Sequence, residues 1–584
     1  MHRVHRRSRL LPQRLEHAGR GDARSGGFAP TADVPPARPL FTGDPGCYRN
    51  DLDTLDAATP ASVQAVGKTW LAQGDLTLLV TPGDRPALVV DESTAREGYV
   101  SPPIPAVDPK FTTVASAVDR SAGPPMPASF PGLSFPALQR ATLSNGIKLV
   151  VAERPGLPVV QMNMLFGGGF AADQGRKLGT SSFAMGMLDE GAGDYDALQF
   201  GDRVESLGAQ LGSSAALDDS SAFLSALTEN LDASVALYAD MLRRPRFAEA
   251  DIERVRAQWL ASIKQEKARP NALANRLLPP LMYGAGHPYA IPFSGSGTEA
   301  SIASLTVEDL KAYHADFVRP DNATLIVVGD TSIEAITPIL EKHFGDWKVP
   351  ATPVPQPTIA EVALPTAPRV YLVDQPGAIQ ATILAGQLAP STTDDGSVEF
   401  DIANSVLGGE FSSRLNMNLR EDKSWAYGAY SFSSGAKGQR PWIAFAPVQI
   451  DKTADALKEM QREITAYADG STPATAEEVA KIQATEIRSL PGSFETANAV
   501  LGQIGGIVRY NRPDNWVEVR RGRIEALDPA GVNAAAKTLD PKALTWVVVG
   551  DLSKIEAEVR ALNLGEVRII VAVGNPVGDA TAAR

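Results

Sequence analysis

Ala323-Thr324-Leu325-Ile326-Val327-Val328-Gly329-Asp330 is a β-rich apolar run closed by Gly-Asp, and the pattern returns as Leu544-Thr545-Trp546-Val547-Val548-Val549-Gly550-Asp551. A third copy lies upstream, Leu76-Thr77-Leu78-Leu79-Val80-Thr81-Pro82-Gly83-Asp84. Each reads as a buried strand ending in a turn. Each also follows a helix with a legible start. Thr306 with Asp309 resembles a capping box, while Thr59-Pro60 and Asp528-Pro529 set an N-cap before a first-turn proline. The copies end 246 and 221 residues apart, so the repeating body is a domain of about 200 to 220 residues.

Proline-rich stretches fall between the copies. Residues 101–137 form a linker containing Pro102, Pro103, Pro105, Pro109, Pro124, Pro125, Pro127, Pro131 and Pro136, and a second linker spans 351–366. The remaining boundaries follow: a disordered tail at 1–40, a partial repeat at 41–100, full copies at 138–350 and 367–574, and a short tail at 575–584. Within the first full copy, 146–151 and 159–165 read as strands. Helices follow over 231–242 and 252–263, the latter ending at the charged turn Lys264-Gln265-Glu266-Lys267. The last copy repeats strands near 370–373 and 381–384. Strands clustered at both ends of a helical middle predict α+β domains, each a mostly antiparallel sheet covered by helices.

The 584 residues, 44% apolar and 21% charged, suffice for several cores. A formal charge of -13 argues against a nucleic-acid binder, although residues 1–24 hold seven arginines against Glu16 and Asp22. Cys47 is the single cysteine, so neither an intrachain disulfide nor a thiolate cluster can form. No apolar run approaches the roughly 18 residues of a transmembrane segment.

The six histidines are His2, His5, His17, His287, His314 and His343, and none stands in an H-x-x-E-H pair. The last three read as structural or surface residues. Neither a P-loop nor a G-x-S-x-G elbow is present. Gly167-Gly168-Gly169 reads as a bend with close backbone packing.

One segment carries usable chemistry: Gly408-Gly409-Glu410-Phe411-Ser412-Ser413-Arg414-Leu415-Asn416-Met417-Asn418-Leu419-Arg420-Glu421-Asp422-Lys423-Ser424-Trp425-Ala426-Tyr427-Gly428-Ala429-Tyr430-Ser431. It predicts a glycine turn, a helix over 412–421, and a strand carrying Tyr427. Arg420 and Tyr427 could then converge, offering a fixed cation and a phenolic donor to a carbonyl oxygen. On chemistry alone the same residues also fit a surface arginine in a charge cluster and a half-buried strand tyrosine.

The Gly-Gly, Ser-Arg-Leu, Leu-Arg-Glu and Ala-Tyr elements, in that order, resemble the half of the insulinase/pitrilysin family of zinc metallopeptidases that does not hold the metal. Leu143-Ser144-Asn145-Gly146, Glu205-Ser206-Leu207-Gly208, His287-Pro288-Tyr289 and Asn322-Ala323-Thr324 extend the resemblance over about residues 41 to 565. It implies a bilobal peptidase of four related domains, of which the partial copy is the end of the second and the full copies are the third and fourth. Where the family's zinc motif would stand, Gly179-Thr180-Ser181-Ser182-Phe183-Ala184-Met185-Gly186 puts Ser182, Met185 and Gly186 in place of His, Glu and His. The distant glutamate would fall near Ala261 or Ser262. None of these residues can hold zinc or activate water. The resemblance therefore implies zinc only in a partner half or upstream domain bearing H-x-x-E-H, with none in this chain.

By the same resemblance Arg420 and Tyr427 form an oxyanion clamp for a peptide or unfolded-protein substrate. A non-catalytic scaffold or peptide-binding subunit is the rival expectation. The Arg-rich start running into part of a repeat also fits a chain that is an incomplete gene model of a longer parent, and the partial repeat predicts apolar residues left uncovered around 76–80. No compartment is legible, and a periplasmic one rests on the resemblance alone.

Overall fold

A computed structural model describes residues 135–574 continuously, together with 44, 47–72, 74–79, 83, 118–121, 123 and 132–133. Residues 58–132 form one compact unit and the remainder another. The first holds a helix, Pro60–Leu71, whose capping box is closed by Thr59 and Ser62. No residue of this helix is buried. The strand expected at 76–84 is not formed over 76–79, where Leu76, Leu78 and Leu79 are more than 80% exposed. The rest of that run, apart from Gly83, lies outside the described residues. The physical reason is plain: a central strand needs a partner on each edge, and no other strand is described in this unit.

The larger unit contains two six-stranded sheets. The first comprises β1 (Gln139–Thr142), β2 (Lys148–Glu153), β3 (Val159–Gly167), β4 (Gln210–Ala215), β5 (Asp219–Leu227) and β6 (Ala323–Gly329), in the order β1-β2-β6-β3-β5-β4. The second comprises β7 (Arg369–Asp374), β8 (Gln380–Ala389), β9 (Tyr430–Ser433), β10 (Arg440–Gln449), β11 (Thr545–Gly550) and β12 (Glu566–Ile569), in the order β12-β7-β11-β8-β10-β9. The two Gly-Asp strands occupy equivalent places. β6 runs parallel to β2 and antiparallel to β3, and β11 stands likewise between β7 and β8. Both are buried throughout or nearly so, as continuous apolar runs require. The outer strands differ, because β1 enters from before β2 whereas β12 arrives from the end of the chain.

The expected caps at Thr306 and Asp528 are formed. The helix Glu249–Ala268 runs straight through the Lys264–Lys267 charges, which no glycine or proline interrupts, so the turn expected there is absent. Gly168, at φ 94°, brings its backbone against the Phe317 ring, where a Cβ would sit 2.2 Å from a ring carbon. The bend after β3 is thus a close packing point.

Each half covers the other's sheet with one helix. From the first half, Pro270–Tyr283 lays Leu273, Leu277, Leu278 and Met282 against Leu384, Val547 and Val549 of the second sheet. In return, Ala497–Arg509 lays Val500, Leu501 and Ile504 against Val150, Leu165, Ile326 and Val328 of the first. Arg154 fastens the approach to the second of these helices, donating to the Phe494 carbonyl at 2.5 Å and to that of Glu495. Neither exchange was legible in the sequence. Between the sheets, the segment at 351–366 has no helix or strand, and Gln439 clasps it through both backbone groups of Val362.

Candidate functional site

The site grows from a break in helical regularity. Between β8 and β9 the helix Ser397–Asn404 passes into a π-helical turn, Ser405–Gly409, and a second π-helical turn, Met417–Asp422, follows the short helix Arg414–Asn416. Such wide turns are rare in regular helices and are often found at functional sites. Leu415 and Leu419 are buried and anchor the turn, which turns Arg420 outward. The chain then reverses at once. Ser424, at φ 55°, donates to the Arg420 carbonyl at 3.0 Å, and Trp425 donates to that of Leu419 at 2.9 Å.

Tyr427 therefore sits in a bend three residues before β9, instead of on the strand expected from its sequence. The backbone there is held off β10 except for an isolated bridge from Ala426 to Val448. Tyr427 is 86% exposed. Arg420 is about one third exposed, with its guanidinium carbon 4.6 Å from the Phe411 ring centre and its Nε 3.5 Å from the Glu421 carboxylate. Both predicted donors thus belong to one surface turn and both reach solvent.

Asn416 was not singled out in the sequence, yet it ties the turn together. Wholly buried, it donates to the Phe411 carbonyl at 2.6 Å and accepts from the Ala429 N–H at 3.1 Å. One side chain thus spans the entry and exit of the Arg420–Tyr427 loop. The available signal was an asparagine framed by Leu415 and Leu419 in a helical run, a polar group that burial obliges to find partners.

The stretch that the resemblance sets against the zinc motif is built in the opposite way. The helix Thr180–Met185 is buried at every residue. Its start is held by the Asp173 carboxylate, which accepts from the Gly179 and Ser181 N–H groups at 2.6 and 2.9 Å. Burial pushes Asp173 up to about 7, while these two donors and the Arg176 charge pull it back. Phe183 packs on Trp259 at 5.4 Å between ring centres, and a Cβ on Gly186 would already meet that indole. Ser182 Oγ is buried without a hydrogen-bond partner and lies 2.7 Å from where a Cβ of Gly295 would stand.

A buried Arg276 closes this region by bonding Glu266, Ser296 Oγ and the Gly297 carbonyl. A lone serine hydroxyl, a thioether and a glycine are no zinc set, so the residues do not fit the metal. Among the described residues no three His, Cys, Asp or Glu side chains cluster to hold one. His287 bonds the Ala360 carbonyl, His314 that of Leu242 and His343 the Asp232 carboxylate, and burial lowers the His314 pKa. No described helix is long and apolar enough to cross a membrane.

The family model for insulinase (peptidase family M16) matches residues 148–289, and that for the peptidase M16 inactive domain matches 304–486. The chain belongs to the M16 insulinase family. Among curated M16 relatives, the uncharacterized zinc protease YmxG of Bacillus subtilis is 26% identical over 299 residues, 51% of this chain and 70% of the relative. The non-peptidase homolog YmxG of Helicobacter pylori is 25% identical over 314 residues, 53% of this chain and 70% of the relative. A solved M16 inactive domain from Pseudomonas fluorescens superposes with a TM-score of 0.65 at 26% identity, covering 71% of this chain and 98% of that one. The chain is thus a homologue of M16 zinc proteases, and its relatives include both proteases and a non-peptidase.

Proposed function

We propose that this chain is the substrate-binding, non-zinc half of a zinc-dependent metalloendopeptidase, completed by a partner half or domain that carries H-x-x-E-H. The observation that carries the reading is a contrast within the equivalent β3–β4 and β8–β9 connections: an exposed Arg420–Tyr427 turn at the end of the second and a filled motif region at the start of the first. In this reading the chain holds an extended peptide and sets two donors on a carbonyl oxygen, a guanidinium N–H and a phenolic O–H. Donors already fixed in place stabilise developing negative charge without reorganising, at about 10²–10³ in rate for each. Asn416 positions both by holding the loop's two ends.

A second reading, a non-catalytic scaffold or peptide-binding subunit, draws support from the same filled motif region and from the non-peptidase relative. One experiment separates the two. The purified chain is assayed for zinc content and for cleavage of a quenched peptide library, alone and mixed with a co-encoded H-x-x-E-H protein. Cleavage only in the mixture, and lost with Arg420→Ala plus Tyr427→Phe, is the expected result. Wild-type cleavage by the double variant overturns the proposed roles, and no cleavage in any mixture favours the scaffold.

A further inference from the structure

Beside Arg420 and Tyr427 the edge strand β9 leaves two more aromatic residues uncovered, Tyr430 and Phe432, at 36% and 44% exposure. Their neighbour Ser431 points the other way. It is buried, with its hydroxyl donating to Asn404 Oδ1 at 2.6 Å and its carbonyl accepting from Asn404 Nδ2 at 3.0 Å. Across the ladder, Tyr430 stands opposite Phe445 and Phe432 opposite Ile443, and directly opposed residues share a face. Ile443 and Phe445 belong to the apolar layer closed by the first half's helix Pro270–Tyr283. One sheet face therefore runs from a covered region at β7, β11 and β8 to an open margin at β9.

The margin is continuous with the proposed donors. The Tyr430 ring lies over Gly428, the residue after Tyr427, where a Cβ would stand 2.5 Å from a ring carbon. At Ser431 the outer edge of β9 is closed, because Gly408 approaches so near that a Cβ on it would lie 2.4 Å from the Ser431 nitrogen. A ligand here is met by the two rings, and at Ser431 it cannot pair as an added strand.

We infer that Tyr430 and Phe432 form a two-rung rail that binds alternate large apolar side chains of an extended peptide. Same-face residues on β9 are about 6.6 to 6.8 Å apart, which is also the repeat of positions i and i+2 in any extended chain. A peptide lying along the rail therefore sets one apolar side chain on each ring and turns the residue between them away. The substrate class this selects is the strand-forming segment of an unfolded protein, with apolar and polar residues in alternation. The inference rests on the reading that this chain binds peptides, and it needs neither a partner nor zinc.

The test uses the full chain alone and two fluorescein-labelled decapeptides of identical composition, one with leucine alternating with serine and one with the leucines grouped. Fluorescence anisotropy should give the alternating peptide at least a tenfold lower Kd. Phe432→Thr and Tyr430→Thr, which keep strand-favouring side chains, should each raise that Kd about tenfold and erase the preference between peptides. Leu198→Ser, at another exposed apolar position, should change neither. Equal affinity for both peptides, or unchanged binding by both threonine variants, overturns the rail. So does loss of a self-associated species on Phe432→Thr with no peptide binding in any sample, since the margin would then be a contact between copies. Pattern-selective binding with no cleavage in any mixture would reject the proposed peptidase half and leave the rail standing.

Discussion

The two halves place different structures at the same topological position. Between β3 and β4 the chain forms a buried helix, Thr180–Met185, and then the regular helix Ala197–Ser206. Between β8 and β9 it forms the regular helix Ser397–Asn404 and then two π-helical turns and an exposed bend. The first arrangement spends its side chains on packing: Phe183 on Trp259, Gly186 beneath the same indole, and Asp173 on the helix start. The second packs Val398, Phe400, Ile402 and Leu407 of its first helix and π-helical turn, and Leu415, Asn416 and Leu419 beyond them, and turns Arg420, Tyr427, Tyr430 and Phe432 outward. A shared fold thus sets where a site can be. The local choice between large apolar residues and exposed polar or aromatic ones decides whether it is one.

The largest effects should come from breaking what the halves share. Leu278 and Ile504 are fully buried in the two exchanged-helix contacts. Leu278→Ala and Ile504→Ala should each cost about 2 to 5 kcal/mol, read as a lower urea midpoint. Because each helix belongs to one half and covers the other, the transition should stay single in both variants. Two separate transitions would show that the halves fold independently.

Next comes the difference itself. In a reconstituted peptidase, Arg420→Ala should lower kcat by about 10² to 10³ with little change in KM, as for a donor that acts on the transition state. A rise in KM alone would make Arg420 a binding residue.

How much of this contrast was legible depended on the range of the interactions. The central strands β6 and β11 were readable because a buried strand is written in consecutive residues, here Leu325 to Val328 and Trp546 to Val549. Caps at Thr306 and Asp528 were readable because a cap needs only residues three apart. Leu76 to Leu79 carries the same local pattern and forms no strand, since strand pairing is a non-local condition that the pattern cannot contain. The exchanged helices fail for the same reason: Leu278 and Ile504 look like any core residues until the opposite sheet is placed against them. Arg420 and Tyr427 stood in one segment of usable chemistry and were singled out by the family resemblance, whereas Tyr427's bend depends on Ser424 adopting a left-handed backbone that no glycine announces.

A smaller effect tests what holds the filled motif region. Asp173 accepts from two backbone N–H groups with its two oxygens, and an asparagine offers only one acceptor, so Asp173→Asn should cost roughly 1 to 3 kcal/mol. The pH dependence has a definite sign. A folded-state pKa raised from 3.8 to about 7 means that the native state binds the proton more tightly than the unfolded chain does. The contribution is fully present below about pH 4 and is lost as pH rises through 7. Urea midpoints of the wild type should therefore carry a downward component between about pH 4 and 7 that Asp173→Asn removes. Parallel curves for the two proteins would mean that the backbone donors outweigh burial and keep Asp173 ionised throughout.

The smallest effect concerns the arginine's setting. Phe411 is 55% exposed, and its ring lies against the Arg420 guanidinium. An exposed stacking contact of this kind is worth about 0.5 to 1 kcal/mol, so Phe411→Ala should lower kcat of the reconstituted peptidase only about two- to fivefold. Phe411→Tyr, which keeps an aromatic face, should restore it. The pair of variants separates support from mere proximity. Asn416 holds the loop through the Phe411 backbone carbonyl, which neither substitution removes, so stability should be nearly unchanged in both. A loss in kcat without a loss in stability would assign Phe411 to fixing the guanidinium's direction. Equal rates for Phe411→Ala and wild type would leave the π-helical turn and Asn416 as sufficient to aim Arg420.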